Sequence, residues 1–290
     1  MVLAGGDQQS AALGLGVTRP GYAKVTTGTG SFVVAATASP YRDPQKRVVC
    51  SASAVAGAWI LEAGIFTSGS VYRWMRDELS AAEKSAADTL GLDPYDLLNL
   101  EAAQSAPGAG GLILLPHFAG SAAPYWNPQA RGVIFGLTLG HERSDVVRAV
   151  LEGIAMEVSK NLRIITDLMA DQTELTEIRV SGGAVRSDLF NQIQADVYGR
   201  RVVPGKMEQA SALGAAILAA TAVGAYTDVH AAAEAMSALE PGRSREPDRD
   251  RHALYQEIVA LNDAVYQALL AGGVYERAAA LEARLQQMKG

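Results

Sequence analysis

The chain has 290 residues, of which 49% are hydrophobic and 19% charged, and a formal net charge of −6 at pH 7. This composition supports a sizeable buried core and excludes global disorder. The acidic balance argues against a nucleic-acid partner, which would need a basic face to displace counterions from phosphates. One cysteine, Cys50, and four histidines with no tight pair leave no disulfide framework and no cysteine or histidine metal cage. No apolar run approaches the length of a bilayer span, and the first residues lack the basic start of a signal peptide, so the expectation is a soluble, cytoplasmic protein with no membrane partner.

In chain order, Gly5, Gly6 and Asp7 open a glycine-rich turn, and residues 10–15 are small and apolar enough for a short helix ending at Gly16. Residues 22–27 and 32–37 alternate as two strands of a hairpin around the turn Gly28-Thr29-Gly30. A charged turn at 43–47 precedes two further strands, 48–53 and 57–61. Helical periodicity then covers 68–79, with Val71, Trp74, Met75 and Leu79 on its apolar face, and 80–90. Residues 103–111 are a loop, 112–115 a buried strand, 117–131 an ordered loop and 133–137 another strand. A long helix over 144–169 starts at Ser144 as N-cap. A strand at 177–180, a helix at 188–198 and a strand at 201–203 give the α/β alternation, and helices follow at 207–224, 230–238 and 252–288, with a solvated connection at 240–251. His117 and His141 read as turn or surface residues, Cys50 as a small core residue, and Tyr125 and Trp126 as ligand-stacking residues or loop anchors.

Three local features carry candidate chemistry. Asp7, beside glycines, suits a general base that takes a proton from a hydroxyl; its other reading is a helix N-cap. Thr29 sits in a glycine-flanked turn that either cradles phosphate oxygens or simply closes the hairpin. Gly182 and Gly183 join a strand to a helix, where a flat ring or a phosphate can lie against bare backbone, or where two segments pack closely. The small-residue stretch 210–220 reads as a close-packing face. No Walker A sequence exists, and Gly28-Thr29-Gly30 lacks the third glycine of a dinucleotide fingerprint.

Taken in order, Gly6-Asp7-Gln8-Gln9, Gly28-Thr29-Gly30, Gly69 before Trp74, Ala123-Pro124-Tyr125-Trp126, Gly132-Val-Ile-Phe-Gly136-Leu137 with Asp145-Val146 and Ala149 to Glu152, and Gly182-Gly183 resemble the carboxy-terminal part of an FGGY-family carbohydrate kinase. The resemblance implies an actin/hexokinase-like (ribonuclease H-like) α/β ATPase domain, a mixed sheet with flanking helices. It divides the chain into a domain-junction remnant at 1–20, the family's carboxy-terminal domain at 21–226 and a helical extension at 227–290. It implies ATP and Mg2+ as cofactors and a sugar or polyol, a pentulose such as xylulose or glycerol, as substrate. Asp7 then matches the general base, Gln8 and Phe32 the substrate pocket, and Gly28, Thr29, Gly69, Arg73, Gly182, Gly183 and Ser187 the nucleotide side, with no metal ligand among them. Ser187 departs from the asparagine common in glycerol kinases at that position. The family's amino-terminal Asp-x-Gly-Thr phosphate loop has no counterpart here, so the amino-terminal kinase domain is expected to be missing. That implies a separate amino-terminal half, self-association through an exposed apolar face, or an inactive nucleotide-binding or interaction module.

Overall fold

The computed structural model describes residues 5–171, 174–206 and 209–288. Helix α1 (Asp7–Gly14) leads into a hairpin of β1 (Tyr22–Thr27) and β2 (Ser31–Thr37), then β3 (Val49–Ala52) and β4 (Trp59–Ile65). Helices α2 (Gly69–Leu79), α3 (Ala81–Leu90) and α4 (Pro94–Ala102) precede a small two-stranded pair, β5 (Ile113–Leu115) and β6 (Val133–Phe135). The long α5 (Arg143–Leu168), β7 (Glu177–Ser181), α6 (Asp188–Tyr198) and β8 (Arg201–Pro204) follow. Four helices, α7 (Ala210–Ala222), α8 (Val229–Met236), α9 (Arg249–Ala271) and α10 (Val274–Gln287), end the described chain. The helix read over 207–224 begins partly at positions 207 and 208, which lie outside the described residues, as do positions 1–4 of the stretch assigned to the domain junction.

The main sheet has the order β3-β4-β2-β1-β7-β8. Its β1–β2, β2–β4 and β3–β4 pairs are antiparallel, whereas β7 joins β1 and β8 joins β7 in parallel. Parallel neighbours need a crossover, and α6 supplies the one between β7 and β8. Alternation then sorts the strand residues onto two faces. Ala23, Val25, Val33, Ala35, Leu61, Ala63, Ile178 and Val180 form one core with Val158, Leu162 and Ile165 of α5. Val34, Ala36 and Ile60 form another with Ala11, Ala12 and Leu15 of α1 and Ala210 of α7.

The second layer depends on small residues. A Cβ added at Gly14 would overlap the carbonyl of Ala210, and one at Gly214 would overlap the backbone of Ser10. Helices α1 and α7 therefore cross at backbone contact, as the small-residue stretch implied. This crossing fixes the start of α1, where Ser211 Oγ donates to the Asp7 carbonyl at 3.0 Å. On the opposite side a buried network ties α5 to α9: Glu152 Oε1 accepts from Arg148 Nε at 2.6 Å, from Tyr255 Oη at 2.6 Å and from the Gly108 amide at 3.0 Å.

Several local readings are corrected. Strand β4 runs four residues past position 61, because Ala63 and Gly64 hide its alternation but not its ladder with β2. In α2 the buried face is Val71, Tyr72 and Met75, while Trp74 and Leu79 are exposed. The cap of α5 is Glu142, not Ser144: it forms a reciprocal box with Asp145. His117 opens a turn, with Gly120 N–H donating to its carbonyl at 3.3 Å, but it is buried and not at the surface, and burial holds its imidazole below the ordinary range. Cys50 is only half-buried on β3. The connection at 240–251 is pinned, since Arg243 pairs with Asp188 at 2.8 Å and Glu240 at 2.9 Å, and α9 starts within it. Tyr125 is a loop anchor, stacked on Tyr266 at 3.8 Å and bonded to Asp263 at 2.8 Å. Among the described residues no single helix is long and apolar enough to cross a membrane.

Candidate active site

The turn between β1 and β2 is the hinge of the site. Its carbonyls are taken by the start of α2: Gly69 N–H donates to Gly28 O at 3.0 Å, and Ser68 N–H and Ser70 N–H donate to Thr29 O at 3.0 and 3.1 Å. Ser70 Oγ adds a third bond to Thr29 O at 2.9 Å. The helix terminus therefore spends these amides on holding the turn. Gly69 has no room for a side chain because the Gly28 carbonyl occupies that space. Gly182, at φ +94°, lies against the Thr27 carbonyl in the same way, so its backbone and its surroundings both require glycine.

Gly28 and Gly183 are different. Neither has a positive φ, and a Cβ at either would meet nothing within 4 Å. They leave bare backbone facing open space, as a close-approaching ligand needs. Both line a cavity of about 240 Å³ together with Thr29, Gly69, Arg73 and Ser187. Gly182 is not in its lining. Ser187 holds the wall in place: its hydroxyl caps α6 by accepting from Phe190 N–H at 3.2 Å.

The rest of that cavity suits a flat ring. Tyr72 and Tyr95 stack at 5.3 Å between ring centres, with Leu151, Ile154 and Phe190 as further apolar lining. Tyr72 Oη donates to Asn99 Oδ1 at 3.0 Å, leaving the Asn99 amide nitrogen as a polar edge. Arg73 and Arg186 bring positive charge, with Arg186 bonded to Asp93 at 3.2 Å. Tyr95, Asp96 and Asn99 sit on α4, which the sequence reading left unassigned. Its signal was present: Asp93 caps it through Tyr95 N–H at 3.0 Å, and Pro94 occupies the first turn.

Asp7, Gln8 and Phe32 lie outside this cavity, on the sheet face covered by α1. Asp7 is exposed at the first turn of α1 and is not its N-cap, a place taken by Gly6. Asp7 Oδ1 accepts from Gln8 N–H at 2.8 Å and Oδ2 from Gln8 Nε2 at 3.3 Å. Phe32 is 37% exposed and rests on Gly64, its cross-strand partner. The geometry thus gives two half-sites, a carboxylate with an apolar ring on one face and a ring-and-anion cavity on the other, separated by the Gly28 turn.

Sequence reasoning missed Lys24. It lies in mid-strand on β1, at 0% exposure, and bonds Gln8 Oε1 and, at 3.2 Å, Thr26 Oγ1. Burial pushes its ammonium down to about 7, against the pull of Glu62 and Asp7. Burial likewise raises the Glu62 carboxyl, with Lys24 opposing. The linkage sign follows from the lowered value. Below pH 7 the folded state carries the cost of a buried ammonium, and that cost is relieved as pH rises from about 7 toward the unfolded lysine value near 10.4. Denaturation across this window is expected to show stability rising with pH, and Lys24→Met is expected to flatten the rise; an unchanged slope in the variant contradicts the assignment.

A family model of the FGGY family of carbohydrate kinases, C-terminal domain, matches residues 23–223. The gluconokinase of Bacillus subtilis (strain 168) is 34% identical over 223 residues, covering 77% of this chain and 43% of the relative. The glycerol kinase of Ralstonia nicotianae is 39% identical over 225 residues, covering 76% and 42%. The chain thus spans less than half the length of these curated relatives. Among solved structures, the ligand-bound xylulose kinase of Lactobacillus acidophilus superposes with a TM-score of 0.80 at 25% identity, over 91% of this chain and 51% of that one. Plasmodium falciparum glycerol kinase with ADP gives 0.74 at 26% identity, over 91% and 50%. The mixed sheet with helices on both faces is accordingly the actin/hexokinase-like architecture of these kinases. With most of its length matched by the family's carboxy-terminal domain, the chain belongs to the FGGY family of carbohydrate kinases.

Proposed function

We propose that the chain supplies the carboxy-terminal half of an ATP-dependent kinase acting on a hydroxyl of a pentulose such as xylulose, or of glycerol. The observation that carries this reading is the placement of an exposed carboxylate, Asp7, and an open glycine cradle, Gly28 and Gly183, on either side of one turn. In the proposed reaction Asp7 takes the proton of the substrate hydroxyl, the oxygen bonds to the γ-phosphorus, and the bond from that phosphorus to the departing ADP breaks. Catalysis of this kind rests on positioning and charge. Phe32 and Gln8 line the substrate side. The Tyr72–Tyr95 wall takes the base, and Gly28, Thr29, Gly183 and Arg73 face the phosphates.

The stacked tyrosines and the open glycines of the cavity support placing the nucleotide there. Among the described residues no group of three or more His, Cys, Asp or Glu side chains comes together; Mg2+ is assigned to the nucleotide's own phosphates, with one or two carboxylates and water completing its shell. The other wall of the cleft is assigned to an amino-terminal kinase half, joined to this chain or supplied as a second one.

The cradle gives a direct test. Gly28→Val and Gly183→Val add side chains into open space, so both variants are expected to fold with unchanged melting temperature and to weaken ATP binding about tenfold or more, roughly 1.4 kcal/mol. Calorimetric titration measures this, and wild-type affinity in both variants contradicts the nucleotide assignment.

A further inference from the structure

We propose that Lys24 is a positioning residue for phosphoryl transfer, holding the Gln8 carboxamide from beneath α1 so that the amide in turn orients Asp7. The inference rests on the reading of Asp7 as the base.

A lysine ammonium has three donors and no acceptor. The bond from Lys24 Nζ to Gln8 Oε1 therefore fixes which end of the amide faces inward. The Gln8 nitrogen is left pointing outward, where it donates to Asp7 Oδ2 at 3.3 Å. An amide turned the other way would set its oxygen against the carboxylate. With the Gln8 backbone N–H on Oδ1 at 2.8 Å, both carboxylate oxygens are held by one residue, and that residue is held by Lys24.

The chain of bonds continues inward. Lys24 Nζ also donates to Thr26 Oγ1, which shares a 2.9 Å bond with Ser181 Oγ at the end of β7, one residue before Gly182. The base is thereby linked through a rigid strand to the edge of the nucleotide side. The charged groups facing Lys24 are Asp7 on α1 and Glu62 on β4. Arg179, its register partner on β7, pairs instead with Glu177 at 2.9 Å and the Leu15 carbonyl at 2.7 Å. An uncharged side chain would fill this space as well as lysine does, so packing alone does not account for a buried ammonium.

The test compares Lys24→Met, Gln8→Ala, the double variant and Asp7→Asn in the kinase assembled with an amino-terminal half, and follows the Gln8 side-chain amide by NMR in the unmodified 290-residue chain. Lys24→Met is expected to lower kcat by about 10- to 100-fold while KM for ATP stays within about twofold. The double variant is expected to be no slower than Gln8→Ala alone, since Lys24 acts through Gln8. In the unmodified chain the Gln8 amide protons are expected to exchange slowly and to shift around neutral pH. Full activity in Asp7→Asn overturns the base reading itself. An inactive Asp7→Asn with wild-type kcat in Lys24→Met, or multiplied defects in the double variant, overturns the positioning role alone. Should Lys24→Met fail to fold, a Gln8 amide that exchanges freely and does not respond to pH overturns it too.

Discussion

Replacing Asp7 with asparagine is expected to lower phosphoryl transfer by the assembled kinase by roughly 10²- to 10⁴-fold, the usual contribution of a positioned base, with ATP affinity unchanged. Two features of the structure make this a clean substitution. The side chain is exposed and lies outside the cavity lined by Gly28 and Gly183, so neither the core nor the cradle loses a contact. The amide is isosteric and can still accept Gln8 N–H, so the first turn of α1 is retained. What is lost is the capacity to take a proton, together with the bond that Oδ2 accepts from Gln8 Nε2. Steady-state rates of ADP formation alongside nucleotide titration measure both quantities. A variant that transfers phosphate at the wild-type rate removes Asp7 from the mechanism, and one that also loses ATP binding shows that the two half-sites are not separate.

The second large effect is structural. Gly214→Ala is expected to destabilise the fold by about 3 kcal/mol or more, at the upper end of overpacking costs, because the added methyl overlaps the Ser10 backbone. Helix propensity works the other way, favouring alanine by about 1 kcal/mol in a helix interior, so the sign of the result decides which effect dominates. Relieving the overlap requires α1 to lift off α7, which displaces Asp7 and Gln8 with it. Chemical denaturation of the variant reads the stability. A gain near the propensity value contradicts the backbone contact between the two helices.

Much of this fold was legible because its elements are locally consistent. The β1–β2 hairpin shows clean alternation around a glycine turn, and α5 shows sustained helical periodicity, so each states its own geometry. The missed α4 lacks a broad apolar stripe: Leu98 and Ala102 are its buried residues, and only Asp93 and Pro94 announce its start. In α2, Tyr72 replaces Trp74 in the core because α4 packs beside it and offers Tyr95 and Asn99 as partners, a tertiary fact with no trace in the local sequence.

The site divides in the same way. Gly28, Gly69, Gly182 and Gly183 all look alike in sequence, and only three-dimensional space separates the two with open space where a side chain would go from the two that make room for a neighbouring carbonyl. On its local sequence Asp7 reads first as a helix cap, and the structure puts Gly6 in the capping position instead. Lys24 was invisible for a different reason. A charge at an alternate strand position reads as solvent-facing, and nothing within β1 says that α1, built from small residues, lies over that face.

The most direct test of the account is ADP formation from ATP by the purified chain with glycerol, xylulose and gluconate, measured alone and with an amino-terminal kinase half supplied. The account predicts ATP binding by the chain alone, and turnover only when the second wall of the cleft is present, lost again in Asp7→Asn. Robust turnover by the isolated chain, or silence of the assembled pair with both halves folded and ATP bound, contradicts it.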